Sequence, residues 1–177
     1  EKASNRAALL TPIAKSYATD IGIEVSSLGV QVHGGMGYVE ETGAAQFFRD
    51  ARIAAIYEGT NGIQAIDLVT RKLPLAGGDT VRDAIAAIRA TVNDVKRRND
   101  PAFGKLGERL DEAANALAQA TDYMLAQLGS NMEAALAGAT PYLKLFALAE
   151  GGAALAREAL AAGEATAAER VAIARFY

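Results

Sequence analysis

Residues 56–64 contain the carboxylate best placed for chemistry in this chain. Glu58 follows an apolar run at residues 53–56 and precedes Gly59, a residue that permits a sharp turn. A carboxylate in partly dry surroundings accepts a proton near neutral pH more readily than a solvated one. We therefore expect partly dry surroundings for Glu58 and consider it a candidate general base. An exposed acid at a helix end, followed by Thr60 as the next N-cap, is the alternative and, from this motif alone, the commoner arrangement.

Residues 31–38 form a second unusual segment, with Gly34, Gly35 and Gly37 close together. Adjacent glycines allow backbone N–H groups to approach a ligand, and phosphates are typical ligands of such loops. A helix C-cap followed by a tight turn explains the same residues. The segment alone therefore leaves both interpretations open.

Other kinds of site have less support. Residues 47–52 are typical of an amphipathic helix with ion-paired charges. His33 is the only histidine, cysteine is absent, and no carboxylate cluster is spaced to join His33 in a metal site. No G-x-S-x-G nucleophile motif is present. We therefore predict neither a metal centre nor a serine-type triad.

Composition restricts the class of protein. The chain has 177 residues, of which 51% are hydrophobic and 22% charged, so it can bury a sizeable core. The net charge is −3 with both signs interleaved, which disfavours a nucleic-acid partner. No apolar run approaches the roughly 20 residues needed to cross a membrane, and the absence of cysteine slightly favours a cytoplasmic location. The chain starts at Glu1 and ends within a helical pattern, so we expect a piece of a longer protein.

Periodicity predicts an all-α fold in two regions, divided by the helix-breaking residues 74–79. In the first region we expect helices at about 11–28, starting at Thr11-Pro12, and at 42–55 and 61–72. Residues 29–38 cannot be helical throughout.

The second region, residues 79–177, is rich in Ala and Leu and predicts antiparallel helices of a bundle. Helix starts are expected at four places: capping boxes at residues 80–83 and 166–169, Asp100-Pro101, and Thr140-Pro141. Gly129 is the expected end of the second helix. The expected core positions are Val81, Ile85, Ile88, Val92, Val95, Leu110, Ala114, Leu117, Met124, Leu128, Leu145, Leu148, Leu155, Ala159, Val171 and Ala174.

Residues 31–38, 49–53 and 56–64, taken together and in this order, resemble the C-terminal helical domain of the acyl-CoA dehydrogenase family. The resemblance covers about residues 10–73. The added helices after Gly78 are similar to those of long bacterial members, of the 3-methylmercaptopropionyl-CoA dehydrogenase group. The resemblance implies a helical bundle at residues 1–74, which contains the catalytic base and an FAD-contact loop. It also implies an added helical bundle at residues 79–177.

The resemblance also implies roles for individual residues. Glu58 aligns with the catalytic base, and Gly59 and Tyr57 with residues beside the substrate thioester. Two stretches align with residues that contact FAD: Thr60, Asn61 and Gly62, and the loop of Gln31, Val32, His33, Gly34 and Gly35, which reaches FAD across a dimer interface. Many members have Gln in place of Gly62, so Gly62 could contribute only backbone here.

The implied activity is FAD-dependent formation of the α,β double bond of an acyl-CoA, a step of fatty acid metabolism. Proton abstraction accompanies hydride transfer to flavin. An electron-transfer flavoprotein is the implied acceptor, and the implied assembly is a homodimer or a dimer of dimers. Because the family builds its site from two further domains, we expect this chain alone to be inactive and not to retain FAD.

Other functions stay open. An acyl-CoA oxidase would use the same Glu58. Residues 79–177 could be a docking or oligomerisation module, although a structural cap over the bundle is favoured because they contain no reactive constellation. A DNA-binding flavoprotein relative is disfavoured by the acidic charge balance.

Overall fold

Helices joined by short turns make up nearly the whole chain. A computed structural model describes residues Glu1–Tyr177, with no strand among them, so the predicted all-α fold is confirmed. The α-helices are α1 Lys2–Val32, α2 Gly35–Tyr38, α3 Ala44–Ala54, α4 Asn61–Asp67, α5 Asp79–Arg98, α6 Leu106–Ser130, α7 Met132–Ala137, α8 Ala139–Ala161 and α9 Glu164–Phe176. A π-helical turn, Leu68–Lys72, extends α4, and short 3-10 turns lie at Glu40–Thr42, Leu75–Gly78 and Pro101–Phe103. None of the helices is long and apolar enough to cross a membrane.

The first helix is longer than predicted. Its expected start at Thr11-Pro12 is wrong, because α1 begins at Lys2 and contains Pro12 within it. A proline inside a helix removes one backbone hydrogen bond. Here Pro12 is buried with the neighbouring core residue Leu9, and the Thr11 hydroxyl donates to the Ala7 carbonyl 2.7 Å away. Burial on the core side of α1 offsets the lost bond.

The glycine segment interrupts the helix, as predicted. α1 ends at Val32, and the chain turns through Gly34, whose φ of 61° lies in the left-handed region. Gly37 allows the return of the chain onto α1, since a Cβ at this position would lie 2.2 Å from the Val30 carbonyl oxygen. The turn therefore depends on Gly37 for close packing and on Gly34 for its backbone conformation.

Both regions contribute to one continuous core. A single cluster of buried apolar side chains includes Leu9 and Leu68 from the first region and Ile88, Leu117 and Phe146 from the second. The predicted stripe on α5 is confirmed, because Val81, Ile85, Ile88, Val92 and Val95 are all buried. The apolar stripe of α5 is thus buried as predicted. α1 packs against both α5 and α8.

The predicted core face of α8 is correct only in part. Ala159 is buried and Leu145 and Leu155 pack against the core, but Leu148 is 39% exposed, whereas Phe146 and Ala149 are fully buried. The buried face carries mostly small residues, including Gly152, where a Cβ would lie 3.5 Å from the Leu110 side chain of α6. A stripe drawn through leucines misses this face because Ala and Gly, not Leu, occupy the closest helix contacts.

Several predicted helix ends are also wrong. α5 begins at Asp79 after Gly78, and Thr80 is buried inside it without capping. α9 begins at Glu164, and the Thr166 hydroxyl donates to a carbonyl instead of accepting a cap bond. α6 continues through Gly129 to Ser130, while α8 begins at Ala139, close to the predicted start.

Asp100 acts as predicted but over a shorter element. Its carboxylate accepts a hydrogen bond from the Ala102 N–H at 2.9 Å. The capped element is only the turn Pro101–Phe103, and α6 starts at Leu106, because Gly104 takes a φ of 52° and breaks the helix between them. The cap residue was therefore identified correctly and the length of its helix was not.

The register of α8 gives a stability prediction. Phe146→Ala removes a fully buried ring and should lower the free energy of unfolding by about 3–5 kcal/mol. Leu148→Ala, on the partly exposed side of the same helix, should lower it by less than about 1.5 kcal/mol. Urea unfolding followed by circular dichroism measures both. Equal losses for the two variants would contradict the register described here.

Candidate active site

The turn between α3 and α4 places Glu58 in an uncommon backbone conformation. The Tyr57 N–H donates to the Ile53 carbonyl at 3.1 Å, which closes the end of α3. Glu58 then has a φ of 53° and Gly59 a φ of 88°, both in the left-handed region. Such a conformation is ordinary for glycine but unfavourable for a residue with a side chain. Contacts outside the turn must therefore hold Glu58 in it.

Thr60 and Asn61 start the next helix. Thr60 is the N-cap of α4, as predicted, and its hydroxyl accepts from the Ile63 N–H at 3.4 Å. The Asn61 N–H donates across the turn to the Ala55 carbonyl at 3.2 Å. The two helices flanking Glu58 are thus bonded to each other through backbone groups.

The Asn61 side chain attaches this turn to the middle of α1. Its amide nitrogen donates to the Ser16 carbonyl at 3.1 Å, the Thr19 hydroxyl at 3.0 Å and an Asp20 carboxylate oxygen at 2.7 Å. Its amide oxygen accepts from the Lys15 ammonium at 2.8 Å. Because these bonds use both ends of the amide, the Asn61 side chain faces α1 and is not free to contact a cofactor.

The carbonyl oxygens of the turn are held from the same direction. The Lys15 ammonium donates to the Gly59 carbonyl at 2.9 Å. The Gln64 amide donates to the Glu58 carbonyl at 3.3 Å and to the Gly59 carbonyl at 3.4 Å. Side chains of α1 and α4 therefore hold the peptide group that follows Glu58 and the peptide group after it.

Several backbone N–H groups of the turn, unlike the carbonyl oxygens of Glu58 and Gly59, have no partner in this chain. The N–H groups of Glu58, Gly59, Thr60 and Gly62 make no hydrogen bond within the chain. A Cβ at Gly62 would meet only the Thr60 hydroxyl, at 4.0 Å, so packing does not require glycine there. Successive unpaired N–H groups at a helix start suit an anionic or carbonyl ligand.

The partly dry surroundings expected for Glu58 are not supplied by this chain. The Glu58 and Tyr57 side chains are exposed, and the Glu58 carboxylate makes no ion pair. The expectation was wrong for these residues alone because the apolar run before Glu58 is itself largely on the surface: Ile53 is 58% and Ile56 47% exposed.

These two isoleucines are among several large apolar side chains that are exposed on α1, α2, α3, α4 and the turn at Glu58. We call this set the exposed face, defined by Val25, Leu28, Val32, Met36, Tyr38, Phe47, Ile53, Ile56, Tyr57 and Ile63. Exposure of many large apolar side chains is typical of a surface that another part of a protein covers.

The predicted FAD-contact loop lies apart from Glu58. Gln31 to Gly35 are exposed at the C-terminal end of α1, whereas the turn is bonded to α1 near Asp20. At about 1.5 Å of rise per residue, Gln31 lies roughly 16 Å beyond Asp20 along the helix axis. His33 bonds locally, to the Gly29 carbonyl at 2.9 Å. The chain therefore does not bring the two predicted cofactor contacts together in one pocket.

Space at the loop glycines would suit a close ligand. Nothing lies within 4 Å of a Cβ built at Gly34 or Gly35. The loop can therefore present backbone donors to a group held outside this chain. A cavity of about 540 Å³ between α6, α8 and α9 is lined by none of these residues.

Sequence reasoning missed the residues that support the turn: Lys15, Ser16, Thr19, Asp20 and Gln64. A signal for the first four was present, because positions i, i+1, i+4 and i+5 of a helix lie on one face. Four polar residues at this spacing indicate a polar contact on that face. No spacing rule identifies its partner, Asn61, which lies more than forty residues later in the chain.

Arg49 shows a simpler outcome. Its guanidinium pairs with the Glu40 carboxylate at 2.8 Å, and both side chains are exposed. The predicted ion pairing of residues 47–52 is thereby confirmed for Arg49, with a partner in the preceding turn.

Comparisons with known proteins identify the family. The family model described as "Acyl-CoA dehydrogenase, C-terminal domain" matches residues 2–73, and that described as "Acetyl-CoA dehydrogenase C-terminal like" matches residues 84–177. A 3-methylmercaptopropionyl-CoA dehydrogenase of Ruegeria pomeroyi is 46% identical over 81% of this chain and 24% of that protein. A butyryl-CoA dehydrogenase of Syntrophomonas wolfei is 32% identical over 59% of this chain and 17% of that protein.

A third relative is a caffeyl-CoA reductase-Etf complex subunit of Acetobacterium woodii, 44% identical over 29% of this chain and 14% of that protein. The chain thus spans at most about a quarter of the length of these relatives. One of the two family models matches more than half of the residues, and both describe C-terminal regions. The resemblance predicted from the three motifs is confirmed, and the chain belongs to the acyl-CoA dehydrogenase family, whose C-terminal region it represents.

Proposed function

We propose that this chain is the C-terminal part of an FAD-dependent acyl-CoA dehydrogenase and that Glu58 is its catalytic base. The observation that carries the proposal is the backbone of Glu58, which has a φ of 53° although glycine would fit there without strain. Strained residues persist where the surrounding structure holds them, and they cluster at active sites. Here the side chain that bears the strain is a carboxylate inside the matched family region.

The reaction needs a base and a group that stabilises negative charge. The α C–H of an acyl thioester is a weak acid, and hydrogen bonds to the thioester oxygen stabilise the enolate that forms on proton loss. We assign proton removal to the Glu58 carboxylate and one of these hydrogen bonds to the unpaired Glu58 N–H. Gly59 and Tyr57 would lie beside the thioester, since they flank this pair of groups.

Bound FAD would supply the acceptor for the hydride that leaves the β-carbon. The unpaired N–H groups of Thr60 and Gly62 fit a contact with it, whereas the Asn61 amide is engaged with α1. The loop of Gln31, Val32, His33, Gly34 and Gly35 would contact FAD in a second subunit of a homodimer, which agrees with its distance from Glu58 in this chain.

The remainder of the protein would cover the exposed face. In two of the relatives, the 3-methylmercaptopropionyl-CoA dehydrogenase and the butyryl-CoA dehydrogenase, the matched region is 24% and 17% of the protein. We infer that missing domains bury Ile53, Ile56 and Tyr57 and so provide the partly dry surroundings that a carboxylate base requires. Residues 79–177 would act as a structural support, because their helices share the core with α1.

The substrate is proposed only as an acyl-CoA. The names of the relatives include acyl-CoA substrates of different structure. The relative that is a subunit of an Etf complex supports an electron-transfer flavoprotein as the acceptor.

Glu58→Gln in the intact protein tests the assignment directly. The change keeps the shape of the side chain and removes its basicity, so kcat for acyl-CoA dehydrogenation should fall by about 10²–10⁴-fold. Dye reduction measures the rate, and FAD absorbance checks that the cofactor is retained. Glu41→Gln, a change at an exposed acid in the turn Glu40–Thr42, is the matched control and should leave kcat unchanged. A near-normal rate for Glu58→Gln would refute the assignment.

The strain at Glu58 makes a separate stability prediction for the chain. Glu58→Gly should raise the free energy of unfolding by about 0.5–1 kcal/mol, because glycine adopts a φ of 53° without the Cβ clash. Glu112→Gly, at an exposed position within α6, should instead lower it by about 1 kcal/mol. Urea unfolding compares the two. A loss of stability for Glu58→Gly would show that Glu58 is not strained.

The isolated chain should neither retain FAD nor oxidise an acyl-CoA, because its base is exposed and its cofactor contacts lie far apart. Absorbance near 450 nm of the purified chain after incubation with FAD and gel filtration measures retention, with the intact protein as the control. Stoichiometric FAD in the isolated chain, or turnover by it, would contradict the proposal.

A further inference from the structure

Lys15 is a charged residue that lies outside the segments 31–38, 49–53 and 56–64. It lies near the middle of α1, and its side chain is half-buried against the turn that carries Glu58. Its ammonium group donates to the Gly59 carbonyl at 2.9 Å and to the Asn61 amide oxygen at 2.8 Å. Both contacts are short and both bridge elements more than forty residues apart in sequence.

The partners of Lys15 are neutral. Lysine on a protein surface usually remains solvated or pairs with an acid, but Lys15 takes part in no ion pair in this structure. The nearby acid, Asp20, accepts from Asn61 instead. A hydrogen bond from a charged donor is stronger than one between neutral groups. The Lys15 ammonium therefore holds the turn through hydrogen bonds and does not neutralise an acidic side chain.

Lys15 holds the carbonyl of the residue that follows Glu58. Gly59 follows Glu58 directly, and its carbonyl orientation is set by the left-handed pair of residues. Holding that carbonyl against α1 opposes a return of Glu58 to a relaxed conformation. Gln64 adds only longer bonds to the same turn, at 3.3 and 3.4 Å.

We propose that Lys15 is a positioning residue for the catalytic base, which acts through the Gly59 carbonyl and Asn61 to hold the turn in its strained, left-handed form. This inference rests on the proposed function of Glu58. Lys15 touches neither of the groups assigned to the reaction, so its removal should disturb the placement of the base and leave substrate binding largely intact. A displacement of about 1 Å in a catalytic group can reduce a rate by about 10²-fold.

The test uses intact, FAD-loaded protein and an acyl-CoA with sulfur in place of the β-carbon. This compound has no β-hydrogen to lose as hydride, so exchange of its α-protons with D2O reports proton removal alone. Lys15→Met removes both hydrogen bonds and keeps a side chain of similar length. Lys15→Arg keeps charged donors, and Lys144→Met, at an exposed lysine of α8 without an ion pair, is the matched control.

We expect Lys15→Met to lower the exchange rate and the kcat for a normal acyl-CoA by about 10- to 100-fold, with KM altered by less than about threefold. Lys15→Arg should recover most of the loss, and Lys144→Met should match the unsubstituted protein. If Lys15→Met does not fold, Lys15→Gln takes its place. Its side chain is uncharged and too short to make both hydrogen bonds, so we expect the same fall in exchange rate and kcat.

Glu58→Gln in the same assay separates the two proposals. If Glu58→Gln still exchanges protons normally, the proposed function fails. If Glu58→Gln abolishes exchange but Lys15→Met exchanges within about twofold of the unsubstituted protein, only the role of Lys15 is overturned. The role of Lys15 would also be overturned if Lys15→Met lost FAD, or if Lys144→Met lowered the exchange rate as much as Lys15→Met does.

Discussion

The attachment of the Glu58–Gly59 turn to α1 is the contact on which the rest of the site depends. A glutamate with a φ of 53° has no intrinsic reason to remain there. Asn61 and Lys15 supply the reason, since the Lys15 side chain of α1 bonds to the turn and the Asn61 side chain bonds to residues 16, 19 and 20 of the same helix. α1 is in turn fixed by Leu9 and Ile13, which lie in the common core. The geometry of the base is therefore only as rigid as the packing of α1.

This dependence gives residues 79–177 a physical role. α1 packs against α5 and α8, both of which come from the second region. The buried face of α8 is built from small residues such as Gly152 and Ala153, which permit close helix packing. A change that separates α8 from α1 would loosen the helix that supports Glu58, although it lies far from the turn in sequence.

The sequence predicts the fold class and the proposed base more fully than it predicts the residues that support Glu58. Periodicity located α5 because its valines and isoleucines repeat at helical spacing and are all buried. It misplaced part of the core face of α8, where alanine and glycine carry little hydrophobic signal but allow the closest contacts. It also put the start of α1 at Pro12, since a local rule about proline cannot weigh the burial of that residue in a core formed by distant helices.

Glu58 itself shows where sequence reasoning ends. Its identity and its following glycine can be read from the chain, and the order of the three motifs points to the family. Its backbone strain cannot be read, because the strain is sustained by Lys15 and Asn61 across more than forty residues. This chain does not exclude water from the Glu58 side chain, because the neighbouring Ile53, Ile56 and Tyr57 are exposed.

The two requirements of a carboxylate base are thus divided between parts of the protein. Orientation is built into the helices described here, where hydrogen bonds from α1 hold the turn before any ligand is bound. Removal of water depends on whatever covers the exposed face. Under the proposed function, such a division would keep an oriented Glu58 in contact with solvent until the complete protein assembles, so that its basicity and a bound cofactor would become available in the same step.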